Sequence, residues 1–445
     1  MNLQNDSNKL NKDLQEVFER WNKKILPFLP NCLDELARQT GAIQRKRGID
    51  SAIDLLKILF LYACSNISFR LLAAASCALG ICNISDTALR KHFTKSANFL
   101  HEILNSMLSS FLPKADISVF GKIKNVLLVD ASVVRQDGKN QEQQRIHTCY
   151  SLNKNRMCEV KVTDKHTAES LTHFSFKKDD LVIADAGYGT AHNYIYAQEQ
   201  QADVILRITP KNFCLYDVDG NKISLIKKLK EAEKKHAEIM DIFGFCKYKT
   251  KTAFVRVIAK KLPKEEAEKA RKRKKNTASR KQNQITEDTL FCAGWIVVIT
   301  SLGIEYCGEE ILYLYRSRWQ VELLFKHFKQ NFSITTLKAG STSYAETEVL
   351  LWLIIWVISE RQSFLTECFL ARKKETVIYS VYEKCKVAFL QIKEILCLSW
   401  SQFLDLTDEK YSRYLKKRKR YRKNQNDEFH AEILPALITV EYEFI

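Results

Sequence analysis

Apolar residues recur at helical spacing along the first 115 residues, in two runs: Leu55, Leu56, Ile58, Leu59 and then Leu71, Leu72, Ala75. Gly80 interrupts this pattern, and Ser85 is well placed to act as the N-cap of a helix from Asp86 to Phe93. We therefore predict a helical region over residues 1–115.

Three cations lie on the second of these predicted helices: Arg90, Lys91 and Lys95. A helix, a glycine-containing turn and a basic second helix fit a helix-turn-helix that reads DNA. The same pattern also fits a plain helical hairpin, so both interpretations stay open.

After residue 120 the apolar period changes from that of helices to that of strands. Five strands are predicted, at 125–134, 145–152, 157–163, 181–185 and 203–209, with a short helix at 168–174 and a longer one at 191–200. The order is three strands, helix, strand, helix, strand, which predicts an α/β fold.

The alternation stops at residue 212, and helices resume near residue 308. The intervening segment holds strand-like pieces at 254–258 and 295–300 and a strongly basic run at 260–281, which predicts a strand-rich insertion with an exposed charged arm. A second basic run, 416–423, closes a helical C-terminal part. The predicted regions are 1–115, 120–211, 212–300, 301–360 and 361–445.

Composition narrows the class of partner. The 445 residues carry a formal net charge of +18, which favours a polyanion such as nucleic acid. Thirteen cysteines without a CxxC pair, behind a polar N-terminus, predict reduced thiols in a cytoplasmic protein. The longest apolar run, 349–358, is too short for a bilayer and predicts a core helix, so no membrane partner is expected.

Candidate chemistry is densest between residues 315 and 329. Tyr315, Arg318, Glu322 and Lys329 have offsets of 0, 3, 7 and 14, which would stack them along one face of a helix. The carboxylate can hold a metal ion and the cations can hold phosphate. Alone, the stripe is better explained by a solvated face with internal ion pairs.

Two aspartates change that balance. Asp130 and Asp185 follow apolar strand residues, where a carboxylate is costly to desolvate without a partner. With Glu322 they would form an acidic cluster if the first and fourth strands are neighbours. Carboxylates without His or Cys favour Mg²⁺ or Mn²⁺, and two such ions about 4 Å apart suit phosphodiester chemistry.

These residues resemble the DDE triad of RNase H-like transposases. Tyr315, Arg318, Glu322 and Lys329 have the Y-(2)-R-(3)-E-(6)-K spacing of the IS4-type insertion-sequence transposases, and Asp185-Ala-Gly-Tyr188 is similar to that family's D-R-G-Y. The resemblance covers residues 120–340 well. One departure is Ala186, which stands where the family has Arg, so a phosphate contact or ion pair is missing there.

The resemblance implies a fold and a set of roles. The fold would be an RNase H-like core, with a mixed five-stranded sheet and helices, a strand-rich insertion, and helical N- and C-terminal regions. Asp130, Asp185 and Glu322 would be the catalytic ligands of Mg²⁺ or Mn²⁺ ions, expected as a pair. The phosphate-binding candidates are Tyr315, Arg318, Lys326 and Lys329. Trp295, in the insertion, is a candidate for base stacking, with a core position as the alternative.

The function that this resemblance implies is cut-and-paste DNA transposition by a nucleoid-associated homodimer on double-stranded DNA. The alternatives are an RNase H-like nuclease without strand transfer and a DNA-binding protein without catalysis. Four further residues near the site remain: His147, His166 and His173 are interpreted as structural, and Glu169 as either a supporting carboxylate or an exposed helix residue.

Overall fold

A computed structural model describes most of the chain. The described residues are 15–45, 48–65, 67–110, 122–136, 143–152, 156–319, 321–322, 325–326, 336–337, 342–372, 387–388 and 390–392. Lys329 and the basic run 416–423 lie outside them.

The N-terminal region is helical, as predicted. Its helices are α1 (15–24), α2 (Leu33–Gln39), α3 (Ala52–Cys64), α4 (Phe69–Ala78), α5 (Asp86–Lys95) and α6 (Ala97–Ser110). Serines open three of them, because the side chains of Ser51, Ser68 and Ser85 each accept a hydrogen bond from a backbone N–H of the first turn. The predicted N-cap at Ser85 is therefore confirmed.

The described strands form one mixed sheet of eleven. They are β1 (Asn125–Gln136), β2 (Gln143–Ser151), β3 (Arg156–Asp164), β4 (Asp180–Ala184), β5 (Asp203–Arg207), β6 (Leu215–Tyr216), β7 (Lys222–Ile223), β8 (Ile239–Tyr248), β9 (Lys251–Lys261), β10 (Trp295–Thr300) and β11 (Thr336–Leu337). Their order is β3-β2-β1-β4-β5-β10-β9-β8-β6-β7, and β11 pairs with β1.

All five predicted strands are present, but the sheet is larger than five strands. β10 pairs antiparallel with β5, and β9 with β10, so strands from the predicted insertion 212–300 continue the same sheet. The predicted helix at 191–200 is α7 (Ala191–Glu199). The helix predicted at 168–174 is only a 3₁₀ turn, Leu171–His173, because the Asn193 side chain accepts the Leu171 N–H and fixes the chain there.

Each face of the sheet packs against its own core. Leu128 and Ile183 point to the side of the N-terminal helices, whereas Val129 and Ala184 point to the opposite side, which α7 covers. This alternation is the two-residue period of strands that are buried on both faces.

The remaining helices are α8 (Leu225–Lys234), α9 (Lys264–Arg280), α10 (Glu287–Cys292), α11 (Gly308–Arg316) and α12 (Thr342–Arg372). The apolar run 349–358 lies in α12 and is buried throughout, so the predicted core helix is confirmed. α12 continues through the predicted boundary at 360/361. Within the described ranges, no helix is long and apolar enough to cross a bilayer.

The buried side chain of Arg256 connects the predicted insertion to the turn before α11. The Arg256 guanidinium on β9 lies 2.6 Å from Asp241 on β8, and it also donates to the carbonyl oxygens of Gly303 and Tyr306. Arg256 is 4% exposed, so its charge is satisfied almost entirely by these acceptors.

Candidate active site

Asp130 and Asp185 lie side by side where β1 and β4 separate. The two strands are parallel, and their last pair is Val129 with Ala184, so each aspartate is the next residue of its strand. β1 continues beyond this point and pairs with β11. Two parallel strands thus place two carboxylates at the same level of the sheet, which confirms that the first and fourth strands are neighbours.

Backbone N–H groups orient both carboxylates. Asp130 Oδ1 accepts from the Ala131 N–H at 2.9 Å, and Asp185 Oδ1 accepts from the Gly187 N–H at 2.9 Å. The pKa of Asp130 is raised to about 7, mainly by burial and also by the charges of Asp185 and Glu322, whereas the Ala131 hydrogen bond and Arg318 act to lower it. Both other acids and Arg318 are therefore close enough to be felt at Asp130.

The helical stripe predicted from 315 to 329 is interrupted. α11 ends at Arg316, residues 317 and 318 form a turn, and helical residues resume at 319. The N–H groups of Ser317 and Arg318 bond to carbonyls three residues back, on Leu314 and Tyr315, and this tightens the chain into a 3₁₀-like turn. Tyr315 and Glu322 therefore lie on two successive helical segments rather than on one helix face.

Arg318 links those two segments. Its Nη2 lies 2.6 Å from Glu322 Oε1, and its guanidinium lies 5.8 Å from the centre of the Tyr315 ring. The Arg318 side chain is 15% exposed and that of Glu322 is 47% exposed. The Arg318 guanidinium is therefore mostly buried and close to the carboxylates. In this position it can bind a phosphate oxygen.

Tyr315 is buried and contributes a polar atom to the same place. Burial raises the pKa of its hydroxyl, and the neighbouring Arg318 and Arg207 charges lower it. The hydroxyl makes no hydrogen bond of good geometry within the described part of the chain, although Arg318 lies beside it. Lys326 is exposed. The fourth residue of the stripe, Lys329, is outside the described residues.

Sequence reasoning gave too little weight to Tyr188, which lies beneath the acids. Tyr188 is fully buried, and its hydroxyl has no hydrogen-bond partner among the described residues. Burial raises the pKa of this hydroxyl, and so do the charges of Glu169, Asp130 and Asp185. The signal in the sequence was the aromatic residue three positions after Asp185.

Glu169 is half-buried and belongs to this cluster. A Cβ atom at Gly187 would collide with its carboxylate and would lie 3.2 Å from Asp185 Oδ1. Burial raises the pKa of Glu169, Asp185 raises it further, and Arg145 lowers it. A side chain at position 187 would therefore displace the Glu169 carboxylate from its place next to Asp185.

The donors suit a hard divalent cation, but they do not yet surround a common point. Carboxylate oxygens are the ligands that Mg²⁺ and Mn²⁺ prefer, and the pKa of Asp130 is raised by burial first and by the neighbouring carboxylates second. Across the described ranges, no three His, Cys, Asp or Glu side chains are close enough to hold one ion. Glu322 is turned to Arg318 and would have to rotate to join the aspartates.

The other candidate residues lie away from the acids or on the surface. Trp295 is the first residue of β10 and is 3% exposed, a core position. Arg90, Lys91 and Lys95 are exposed on α5, the second helix of the α4–α5 pair.

The three histidines also stay outside the cluster of acids. The ring of His147 lies 4.4 Å from that of His173, and burial lowers the pKa of His147 to about 4. His166 is exposed. A neutral imidazole that bonds to Thr163 fits the structural role predicted for His147.

Comparisons with known proteins agree with this geometry. The chain is 28% identical over 330 residues to the putative transposase InsL of insertion sequence element IS186A from Escherichia coli K12, covering 73% of this chain and 88% of that protein. It is similar to the transposase of IS421 from Escherichia coli, at 28% over 331 residues, with the same coverage. The transposase of IS231E from Bacillus thuringiensis subsp. finitimus is 23% identical over 441 residues, covering 87% of this chain and 91% of that protein.

A family model described as the transposase DDE domain matches residues 121–358. That range runs from just before β1 into α12 and includes both strand-borne aspartates, the turn at 317–318 and Glu322. It spans more than half of the 445 residues. The chain belongs to the family of proteins that carry a transposase DDE domain.

Proposed function

We propose that this protein is the DNA transposase of an insertion sequence, which cuts at the element's ends and joins their 3′-hydroxyl groups to target DNA. The observation that carries the proposal is the register of β1 and β4, which sets Asp130 and Asp185 level with each other and within electrostatic reach of Glu322 and Arg318. Strands β3-β2-β1-β4-β5 and α7 support the RNase H-like core that the family implies.

Asp130, Asp185 and Glu322 would hold the divalent cations, which we propose to be two Mg²⁺ or Mn²⁺ ions. When bound, such ions supply activation of the attacking hydroxyl group and stabilisation of the leaving oxygen. The carboxylates fix where that charge can lie. The hydrogen bonds from Ala131 and Gly187 hold the two aspartates in place before any cation arrives.

Arg318, Tyr315, Lys326 and Lys329 would bind the phosphates around the scissile bond. Arg318 can release Glu322 to the cations and turn its guanidinium to a phosphate oxygen, since both exchanges replace one charged partner by another. The unpartnered Tyr315 hydroxyl beside it can donate to the same phosphate. Assembly as a homodimer on paired ends, and a role for α5 in recognising those ends, belong to the same proposal.

A strand-transfer assay tests this function. The protein is mixed with Mg²⁺, an oligonucleotide that carries the element's terminal sequence with a pre-cleaved 3′-hydroxyl end, and a plasmid target. We expect joined products that disappear in Glu322→Gln. Cutting of an uncleaved end without joining would instead support a nuclease, and full biological activity of Glu322→Gln would support a DNA-binding role without catalysis.

A further inference from the structure

Helix α9 has an unusual surface for a helix of a folded domain. Its first half contacts the rest of the protein, since Ala267 is buried and Arg271 Nε donates to the Leu290 carbonyl at 3.3 Å. From residue 272 to 280 every residue except Ala278 is exposed. The second half of the helix therefore extends from the sheet with solvent on nearly all sides.

The charges along α9 are distributed unevenly. Its first six residues mix the acids Glu265, Glu266 and Glu268 with Lys264 and Lys269, whereas five consecutive cations occupy 271–275 and two more follow at 280 and 281. No ion pair within 4.0 Å involves α9 in the described part of the chain. Like charges three and four residues apart repel one another, so an external anion would stabilise this half of the helix.

The sheet topology places α9 at the same edge as the catalytic aspartates. β5 is parallel to β4, and β9 is parallel to β5 because each is antiparallel to β10. The carboxyl end of β9, from which α9 departs, therefore lies at the edge where β4 ends and where Asp130 lies on β1. Asp185 is level with Ile258, three strands away, and Lys261 is three residues beyond that level.

These positions set a length scale. Three strand spacings and three residues put the start of α9 about 20 Å from Asp185. The helix itself is about 26 Å long, since each residue rises about 1.5 Å. If α9 continues away from Asp185, DNA held with its scissile phosphate there would pass the basic half of the helix roughly 9 to 13 base pairs away, at about 3.4 Å per base pair.

We propose that the basic half of α9, residues 271–281, binds the phosphate backbone of DNA that flanks the scissile bond, without reading its sequence. The inference rests on the proposed function and adds a second DNA contact outside the catalytic cluster. Lys and Arg on all sides of an exposed helix match a polyanion of any sequence. DNA is favoured over an acidic protein surface because the nearest functional group at this edge is a phosphodiester site.

The test is the salt dependence of DNA binding by the full chain. The arm variant carries Lys272→Gln, Arg273→Gln, Lys274→Gln and Lys275→Gln. The matched control carries Lys177→Gln, Lys178→Gln, Lys247→Gln and Lys249→Gln, four exposed lysines at the opposite edge of the sheet. Both variants lose four charges, so a difference between them reports position rather than net charge. Circular dichroism confirms that each remains folded.

Binding is measured on a duplex with about 20 base pairs on each side of the cut. If two of the four arm cations contact phosphate, the negative slope of log binding constant against log salt concentration becomes shallower by about 1.8. The affinity at 0.1 M salt then falls roughly 60-fold. The control should stay close to wild type. An arm variant with the same slope and affinity as the control would overturn the proposal. An arm variant that no longer forms a dimer but keeps the wild-type slope would also overturn it, because the arm would then contact an acidic protein surface.

A shortened duplex locates the contact. With about 5 base pairs on each side of the cut, the arm variant and wild type should bind equally, because the DNA no longer reaches α9. An equally large defect on the short duplex overturns the flanking position. Failure of the proposed function is recognised separately: wild type would then neither cut nor join terminal DNA in the strand-transfer assay, whatever the salt slopes are.

Discussion

The three acids of the site are held in two different ways. Asp130 and Asp185 extend two paired strands of a sheet that is buried on both faces, and backbone N–H groups fix their carboxylates. Glu322 follows a tight turn after α11, is 47% exposed and is paired with Arg318. The sheet thus determines the relation of two acids in advance, whereas the third must be delivered by a helical segment that is separately anchored.

The largest expected effect is a loss of DNA cleavage, which should follow from replacing either kind of acid. Asp185→Asn and Glu322→Gln should each lower cleavage of terminal DNA by at least about 10³-fold, or about 4 kcal/mol in the barrier. Both variants should still bind the DNA, which a gel-shift experiment measures in the presence of Ca²⁺. Cleavage by Glu322→Gln within tenfold of wild type would show that the strand-borne pair suffices without the helix-borne acid.

A pH titration of the metal-free protein separates the acids. The folded-state pKa of Asp130 is raised to about 7, so the folded state binds more protons than the unfolded state between about pH 4 and pH 7. The free energy of unfolding should therefore fall as pH rises through this window. The expected fall is about 1 kcal/mol per pH unit, or a few kcal/mol in all. Asp130→Asn should flatten this slope and be more stable than wild type at pH 7. The free energy of unfolding is measured against pH by urea unfolding in EDTA. Parallel pH curves for the two proteins would contradict the raised pKa of Asp130.

The support beneath the strand-borne pair is open to a steric test. Gly187→Ala should destabilise the protein by about 1–3 kcal/mol, because its Cβ would overlap the Glu169 carboxylate next to Asp185. Glu169→Ala in the same chain should recover part of that loss, which thermal unfolding of the single and double variants measures. Strictly additive losses would mean that the two residues do not share this space.

The smallest effect is expected at the helix-borne acid. Removing the Arg318–Glu322 ion pair with Glu322→Gln should change the free energy of unfolding by less than about 0.5 kcal/mol, because Glu322 is 47% exposed and glutamine can still accept a hydrogen bond from Arg318. Urea unfolding at pH 7 checks this value. A loss above about 2 kcal/mol would place Glu322 among the structural residues and remove the contrast with Asp130.

Local signals were sufficient for much of this architecture. The five strands, α7 and the Ser85 cap follow from alternation, helical spacing and a side chain that caps its own helix. Asp130 and Asp185 could be placed as neighbours, because consecutive parallel strands joined by a crossover commonly lie next to each other. These features depend on residues close in sequence, or on rules that hold across folds.

Features that depend on distant contacts escaped prediction. The pairing of β10 with β5 joins segments about ninety residues apart, and nothing in either strand specifies its partner. The break after Arg316 depends on Ser317, whose hydroxyl donates to the Leu314 carbonyl and competes with the helix. Tyr188 and Glu169 approach Asp185 only because the chain folds back over Gly187.

The contacts of Arg256 bear on how two parts of this protein can change in evolution. Its acceptors lie on β8 and on the turn that leads to α11, so the hairpin of the predicted insertion and the segment that carries Arg318 and Glu322 are bonded to one another. Without an arginine at this position, Asp241 would lose its cationic partner, and the Gly303 and Tyr306 carbonyls would each lose a hydrogen bond. We therefore expect the predicted insertion and the segment that leads to Arg318 and Glu322 to vary together rather than independently.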